Sequence, residues 1–284
     1  MINKIIEIDK LKTKLKSKKG KIVLAHGVFD LFHIGHLRHL KEAKKLGIIH
    51  KESHFDQIHE GEIIFLTIPV DAALAVLPSV LDLVHEDALV IDVGSTKQGI
   101  CGVVKDHPKR RNFLAAHPIA GTEFSGPKSA LKGLYREKTN IICEVEKTAF
   151  KLQEKALEIF SKLGMRIRYM DAVSHDKHIA YVSHLSHISS FMLGKTVIEK
   201  ERNERDIFDL AGSGFESTVR LAKSSPAMWT PIFEQNKGNI IASLEEYIDN
   251  LKQFKEYMEN HEFDQVFQEM KNTNHITTIL EGIK

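Results

Sequence analysis

Five short segments carry side chains whose types and spacing could do chemistry. In AAHPIAGTEFSGP (115–127), His117 follows an apolar run, and Gly121, Gly126 and Pro127 punctuate what comes after. Parallel α/β sheets bind ligands at strand ends, and an imidazole there can take a proton or accept a strong hydrogen bond near neutral pH. The same ring could instead cap the turn through backbone bonds. In DVGSTK (92–97), Gly94 lets a ligand approach the backbone, Ser95 offers a hydroxyl and Lys97 a charge. The alternative is a turn in which Ser95 or Thr96 caps the next helix.

The segment 175–192 (HDKHIAYVSHLSHISSFM) holds His175, His178, His184 and His187 as two i,i+3 pairs, which places all four on roughly one side of a helix. They could line an anionic pocket, chelate a metal, or sit in the core satisfied by backbone groups. With no cysteine and only Asp176 nearby, the donor set for a catalytic metal is incomplete, so no metal is expected. In 211–233, Arg220 could grip a carboxylate through two parallel bonds or serve as a surface cation. Gly212 and Gly214 follow no strand and are discarded as a phosphate loop. Finally, GVFDLFHIGHLRHL (27–40) frames Ile34 and Gly35 with His33 and His36, where a strand meets a helix. Free N–H groups and the helix dipole attract phosphate at such a junction.

These segments need elements to position them. The apolar runs 21–27, 61–70, 88–95 and 112–118 read as strands, and 139–146 and 165–171 as two more, flanking a helix from about Thr148 to Leu163. Residues 1–20 and 34–46 read as helices, the second closed by Gly47. Continuous apolar strands separated by helices predict a parallel sheet covered on both faces. After Asp171 the strand signal stops, and the pattern is helical to the end. The fold class is therefore α/β followed by all-α, a Rossmann-like sheet over 1–171 and a helical domain over 172–284.

Composition removes several function classes. The chain has 284 residues, 42% hydrophobic and 27% charged, with 40 basic against 38 acidic residues. That balance leaves no global basic surface for nucleic acid. The two cysteines, Cys101 and Cys143, cannot build a disulfide framework. No apolar run reaches the roughly 20 residues of a membrane span, and the first 21 residues lack a signal-peptide core. No membrane association and a cytoplasmic location are expected.

Two resemblances follow. From about residue 40 to 284 the chain resembles the prephenate dehydrogenase family, on IPVD (68–71), DVGSTK (92–97), HPIAGTEFSG (117–126), SHDKHIAYVSHLSH (174–187) and GFESTVRLAKSSPAMW (214–229). Residues 1–47 resemble the opening of a cytidylyltransferase-type nucleotidyltransferase, on AHGVFDLFHIGHLRHLKEAKKLG with its HxGH; later nucleotide-binding motifs of that family are missing. The dehydrogenase family should open with a strand, a GxGxxG turn, a helix and a second strand ending in an acidic residue. Lys21 to Pro69 is 49 residues, where two complete βα units need roughly 60 or more. The sheet is therefore expected to be truncated or recombined at its N-terminus.

The dehydrogenase resemblance implies NAD-dependent oxidative decarboxylation of prephenate to 4-hydroxyphenylpyruvate, in tyrosine biosynthesis. It implies His117 as the catalytic hydrogen-bond acceptor, with Ser95 beside it. Arg220 would clamp a carboxylate, His187, His184 and His175 would line the substrate pocket, and Glu123 would gate it. Pro69, Val70, Gly94, Ser95 and Lys97 would meet the cofactor, and His26, His33 and His36 could stand in as a phosphate site. The helical half would form a homodimer. Without a GxGxxG turn, the cofactor's pyrophosphate contacts are expected to be altered. The alternatives are an HxGH nucleotidyltransferase using His33 and His36, and a non-catalytic chimeric dimer.

Overall fold

Leu24–His26 forms the first strand of a six-stranded sheet, β1. The computed structural model describes residues 24–26, 55–122, 131–201 and 206–283. The helices expected within 1–20 and 34–46, the side chain of His26, and His33, His36 and Glu123 lie outside the described residues.

The remaining strands are β2 (Ile63–Leu66), β3 (Leu89–Asp92), β4 (Phe113–Pro118), β5 (Thr139–Cys143) and β6 (Arg166–Met170), adjacent in chain order. Strands β1 to β4 run parallel. Between them lie α1 (Val70–Leu83) and α2 (Gln98–Val103). The apolar pattern of β3 is explained by burial of all four of its residues.

The sheet departs from the parallel arrangement expected of it: β5 pairs antiparallel with β4, while β6 runs parallel to β5. The described parts of the β4–β5 connection, 119–122 and 131–138, are loop and turns. A chain that returns without a crossover helix comes back antiparallel. Between β5 and β6, α3 (Phe150–Lys162) supplies the crossover. Strand β6 ends the described sheet with Arg166, Arg168 and Tyr169 exposed, a charged border that resists further pairing.

Two cores flank this sheet. Leu77, Val80, Leu81, Ile100, Phe113, Ala115 and Cys143 belong to one, and Ile91, Leu114, Ala116, Ile142, Leu152 and Phe160 to the other. Alternation along β4 sends Ala115 and Ala116 to opposite cores. Behind β4, the Arg110 guanidinium donates to the Phe113 carbonyl at 3.0 Å and to Glu144 at 3.0 Å. The Thr148 hydroxyl donates to the same carbonyl at 2.6 Å. Burial raises the Glu144 carboxyl, but bonds from Lys147 and Arg110 outweigh it and hold it below its ordinary range.

The chain divides into two units, 1–172 and 173–284. The second is helical. After α4 (Ala172–Ile179), Ala180–His184 forms a π-helical turn that leads into α5 (Leu185–Glu201). It continues through α6 (Ser213–Thr218), α7 (Pro226–Gln235), α8 (Lys237–Glu259), α9 (Phe263–Thr273) and α10 (Ile276–Ile283). Pro226 opens α7, where its missing N–H costs nothing. Among the described residues, no helix is long and apolar enough to cross a membrane.

Candidate functional site

In the sheet unit, the carboxyl end of β3 builds a tight loop. The Gly94 N–H donates to Asp92 Oδ1 at 3.1 Å, and the Lys97 ammonium donates to Asp92 Oδ2. This pair is sealed: the side chains of Lys97 and Asp92 are 0% and 3% exposed. A Cβ on Gly94 would meet Val70 Cγ1 at 3.1 Å and Asp92 Oδ1 at 3.2 Å. Glycine thus lets the loop lie against the start of α1 without displacing Val70 or Asp92. Pro69 precedes that start and Val70 opens it, buried.

Two sequence expectations change here. The residue capping α2 is Lys97, without a side-chain cap bond, so neither Ser95 nor Thr96 caps the helix. The Lys97 charge is turned inward to Asp92, so it shapes the loop rather than offering a surface cation. Ser95 remains half-buried on the loop. His117, also half-buried, lies near the end of β4. Ala115 is the register partner of Asp92, so His117 sits two residues past the last β3 pairing. Ile141 faces it across the antiparallel side. The half-buried Ser95, the Gly94 backbone and the His117 strand therefore share one end of the sheet, where a hydride acceptor and an alcohol could meet.

In the helical unit, the histidines depart from the single face expected of them. His175 and His184 are buried, His187 is half-buried, and His178 is exposed. The four therefore do not share one side: on α4 itself His175 is buried while His178 is exposed. The His175 Nδ1–H donates to Asp176 Oδ1 at 2.7 Å. The His187 Nδ1–H donates to the Ser183 carbonyl at 2.9 Å, leaving Nε2 as an acceptor. Its ring stacks on Trp229 at 3.5 Å between centroids, and His184 meets the same indole edge-on at 5.8 Å.

Burial dominates the electrostatics of both rings. It pushes the His184 imidazole down to about 4, with neighbouring His187 and His175 acting the same way and Asp176 opposing. Burial also lowers His187, assisted by the positive charge of Arg220, against the bond to Ser183. Arg220 itself is exposed at the head of a 3-10 turn, Arg220–Lys223. Ser190 Oγ donates to the Thr218 carbonyl at 2.7 Å, tying α5 to the segment before Arg220. The unit thus holds neutral imidazoles, an indole and a guanidinium, which suits a substrate that is both carboxylated and unsaturated.

Three residues of this architecture carried no role in the sequence reading. Asp92 was readable in principle, since Asp two residues before Gly marks a side-chain-to-backbone turn. Trp229 stood out only as the sole tryptophan. Asn236, between α7 and α8, gave no signal. Among the described residues, no group of three His, Cys, Asp or Glu could hold a metal.

Comparison with known proteins places this geometry. A model of the prephenate dehydrogenase nucleotide-binding domain matches residues 36–169, and one of the prephenate dehydrogenase dimerization domain matches 171–272. Cyclohexadienyl dehydrogenase of Zymomonas mobilis is 25% identical over 219 residues, 77% of this chain and 75% of that protein. Prephenate dehydrogenase of Bacillus subtilis is 27% identical over 237 residues, 81% of this chain and 63% of that protein. The crystal structure of prephenate dehydrogenase from A. aeolicus, in complex with hydroxyphenyl propionate and NAD+, superposes with a TM-score of 0.79 at 28% identity. That match covers 94% of this chain and 91% of the other. A separate stretch of similarity is short: 44 residues are 48% identical to the bifunctional protein HldE of Campylobacter jejuni, covering 10% of it. With both domains matched in order over most of its length, the chain belongs to the prephenate dehydrogenase family.

Proposed function

We propose that this chain is an NAD-dependent prephenate dehydrogenase that oxidatively decarboxylates prephenate to 4-hydroxyphenylpyruvate. The observation that carries the reading is the consecutive match of both family domains. The described residues fit the nicotinamide-proximal half of the cofactor. Gly94 lets the loop lie close against Val70 and Asp92, and Ser95, Pro69 and Val70 stand beside it at the strand ends. Lys97 holds that loop in shape through Asp92. The loop after β1, the expected place for the pyrophosphate, lies outside the described residues.

Bound NAD supplies the hydride acceptor. His117 accepts the proton of the substrate's 4-hydroxyl as its carbon gives up hydride. Ser95 hydrogen-bonds beside it. Arg220 pairs with a substrate carboxylate, and His187 offers its Nε2 lone pair to the pocket. Carbon dioxide leaves the ring, whose electron pair completes the aromatic system, and the proton returns to the phenolic oxygen. The reaction needs positioning and one proton shuttle, and the charge on the protein does not change. Glu123 gates the pocket, and His175 and His184 support its wall. Absorbance at 340 nm with prephenate and NAD tests the reading, which a flat trace at saturating substrate would overturn.

The homodimer belongs to the same proposal. Phe263, Phe267, Met270, Ile276, Ile279 and Leu280 are exposed large apolar residues on α9 and α10, and a second copy would cover them. The short similarity to HldE favours one further reading, confined to the amino-terminal segment. It treats residues 1–47 as a nucleotidyltransferase opening, with His26, His33 and His36 at a phosphate, joined to a sheet shortened by one βα unit. Pyrophosphate release from CTP or ATP tests it.

A further inference from the structure

We infer that Asn236 is a positioning residue whose amide locks His184 in the tautomer with hydrogen on Nε2, making that ring a hydrogen-bond donor for an oxygen of the substrate. The inference rests on the proposed function for its substrate and on local geometry for everything else.

Asn236 is buried at the junction of α7 and α8. Its Nδ2 lies 2.7 Å from the Asp176 carbonyl oxygen and 3.2 Å from His184 Nδ1. A backbone carbonyl can only accept, so the atom facing it must be the NH2 group and not the amide oxygen. The opposite side agrees: Asn239 Nδ2 donates to Asn236 Oδ1 at 2.8 Å. With the amide oriented, one Nδ2 hydrogen goes to the Asp176 carbonyl and the other points at His184 Nδ1. That ring nitrogen therefore presents its lone pair, and the neutral ring carries its hydrogen on Nε2.

The neighbours keep the ring in that state. Asp176 and His175 face it from α4, His187 from α5, and Trp229 and Phe233 from α7. Asp176 is the one acidic group among them, and its charge is met by the His175 imidazole at 2.7 Å. Burial then favours neutrality. His184 Nε2 and Trp229 Nε1 are both buried without a hydrogen-bond partner. Buried donors on neighbouring rings are costly to leave unmade. A carbonyl or carboxylate oxygen entering past the Trp229 and Phe233 rings would satisfy them, and no existing bond would have to break. His187, one helical turn along, is set in the opposite tautomer by Ser183 and contributes an acceptor. The unit thus distinguishes an oxygen acceptor from a hydroxyl donor on the substrate by two fixed tautomers.

The test begins with the imidazole nitrogen spectrum of the wild-type protein at neutral pH. The Nε2–H pattern for His184 is expected, and an Nδ1–H or doubly protonated ring overturns the inference. In Asn236→Asp, a carboxylate faces Nδ1 and draws the hydrogen there. The expected result is a switched tautomer and a KM for prephenate raised about tenfold with kcat nearly kept. In Asn236→Ala, fluorescence of the sole tryptophan, Trp229, follows the site directly. A raised KM with the His184 tautomer unchanged assigns Asn236 a merely structural role and overturns the inference. A wild type that shows the Nε2–H pattern yet never oxidises prephenate overturns the proposed function, while the tautomer assignment stands.

Discussion

Lys97 in the sheet unit and His184 in the helical unit are both titratable, and both have side chains shut off from solvent. Their surroundings treat them differently. Lys97 lies against the Asp92 carboxylate, which also accepts from the Gly94 N–H. His184 has no such ion pair, and burial holds it neutral with its imidazole pushed down to about 4. A buried ion pair fixes a loop in space, because moving either partner strands the other. A desolvated neutral ring keeps both of its hydrogen-bonding roles and can address a ligand. The sheet unit spends charge on shape, and the helical unit withholds charge for recognition.

The largest expected effect separates chemistry from binding across the two units. His117→Asn keeps a hydrogen-bonding group but loses the proton acceptor. It should lower kcat by about 10²–10⁴-fold with KM for prephenate nearly unchanged. Arg220→Ala should do the reverse, raising KM while kcat falls less. Steady-state kinetics at 340 nm measure both. An unchanged kcat in His117→Asn would remove the imidazole from the mechanism.

Next comes the buried pair. Lys97→Met leaves the Asp92 carboxylate inside with, among the described residues, only the Gly94 N–H as a hydrogen-bond donor. Stranding a buried charge costs about 3–5 kcal/mol. Combining Lys97→Met with Asp92→Asn should recover most of that stability, as read from denaturant midpoints. If the single and double variants unfold together, the pair is not what holds the loop.

The comparison also shows what the sequence could carry. The strand ending at His117 was legible because an apolar run stopped at Gly- and Pro-rich residues. The helical second half was legible because strand alternation ceased after Asp171. The direction of β5 was not, since it depends on whether the connection from β4 contains a helix, and apolar strands look alike both ways. The exposure of His178 was hidden as well, because i,i+3 spacing does not tell how wide a strip of a helix is covered: on the same α4, His175 is buried and His178 is exposed. Lys97 read as an available charge because a sequence does not show that Asp92, five residues earlier, folds back over it. Roles that depend on two side chains meeting, such as that of Asn236 with His184, leave no mark in residue type.

Acid should affect the helical unit through His184. Burial pushes the folded ring down to about 4 from its ordinary 6.5, so between those values the unfolded chain binds a proton that the folded chain refuses. Stability is complete above about 6.5 and falls as pH drops toward 4, by on the order of 3 kcal/mol. His187, lowered mainly by burial, adds to the loss in the same direction. His184→Gln should flatten this slope. Urea midpoints at pH 7 and pH 4.5, wild type against variant, give the comparison, and equal slopes would show that this ring does not control acid lability.

The smallest effect concerns a residue that follows neither strategy. Asn140 on β5 is 0% exposed, and neither its Nδ2 nor its Oδ1 has a partner. It lies opposite Pro118 and beside Ile167, on the face that holds Ala116 and Ile142. An unsatisfied amide in such a place costs about 1–3 kcal/mol relative to a bonded one. Leucine keeps the branched outline, is somewhat larger and has no polar atoms. Asn140→Leu should therefore leave the fold intact and raise stability by about 1 kcal/mol, roughly 2–4 °C in Tm for a unit of this size. Its neighbour Ile141 is the register partner of His117, so the kinetics of the same variant are informative. A higher Tm with unchanged turnover marks the amide as a defect of packing. A higher Tm with a raised KM would show that the sheet unit, like the helical one, keeps a buried polar group unbonded for the sake of its ligand, and the contrast between the two units would then narrow to the Lys97 pair alone.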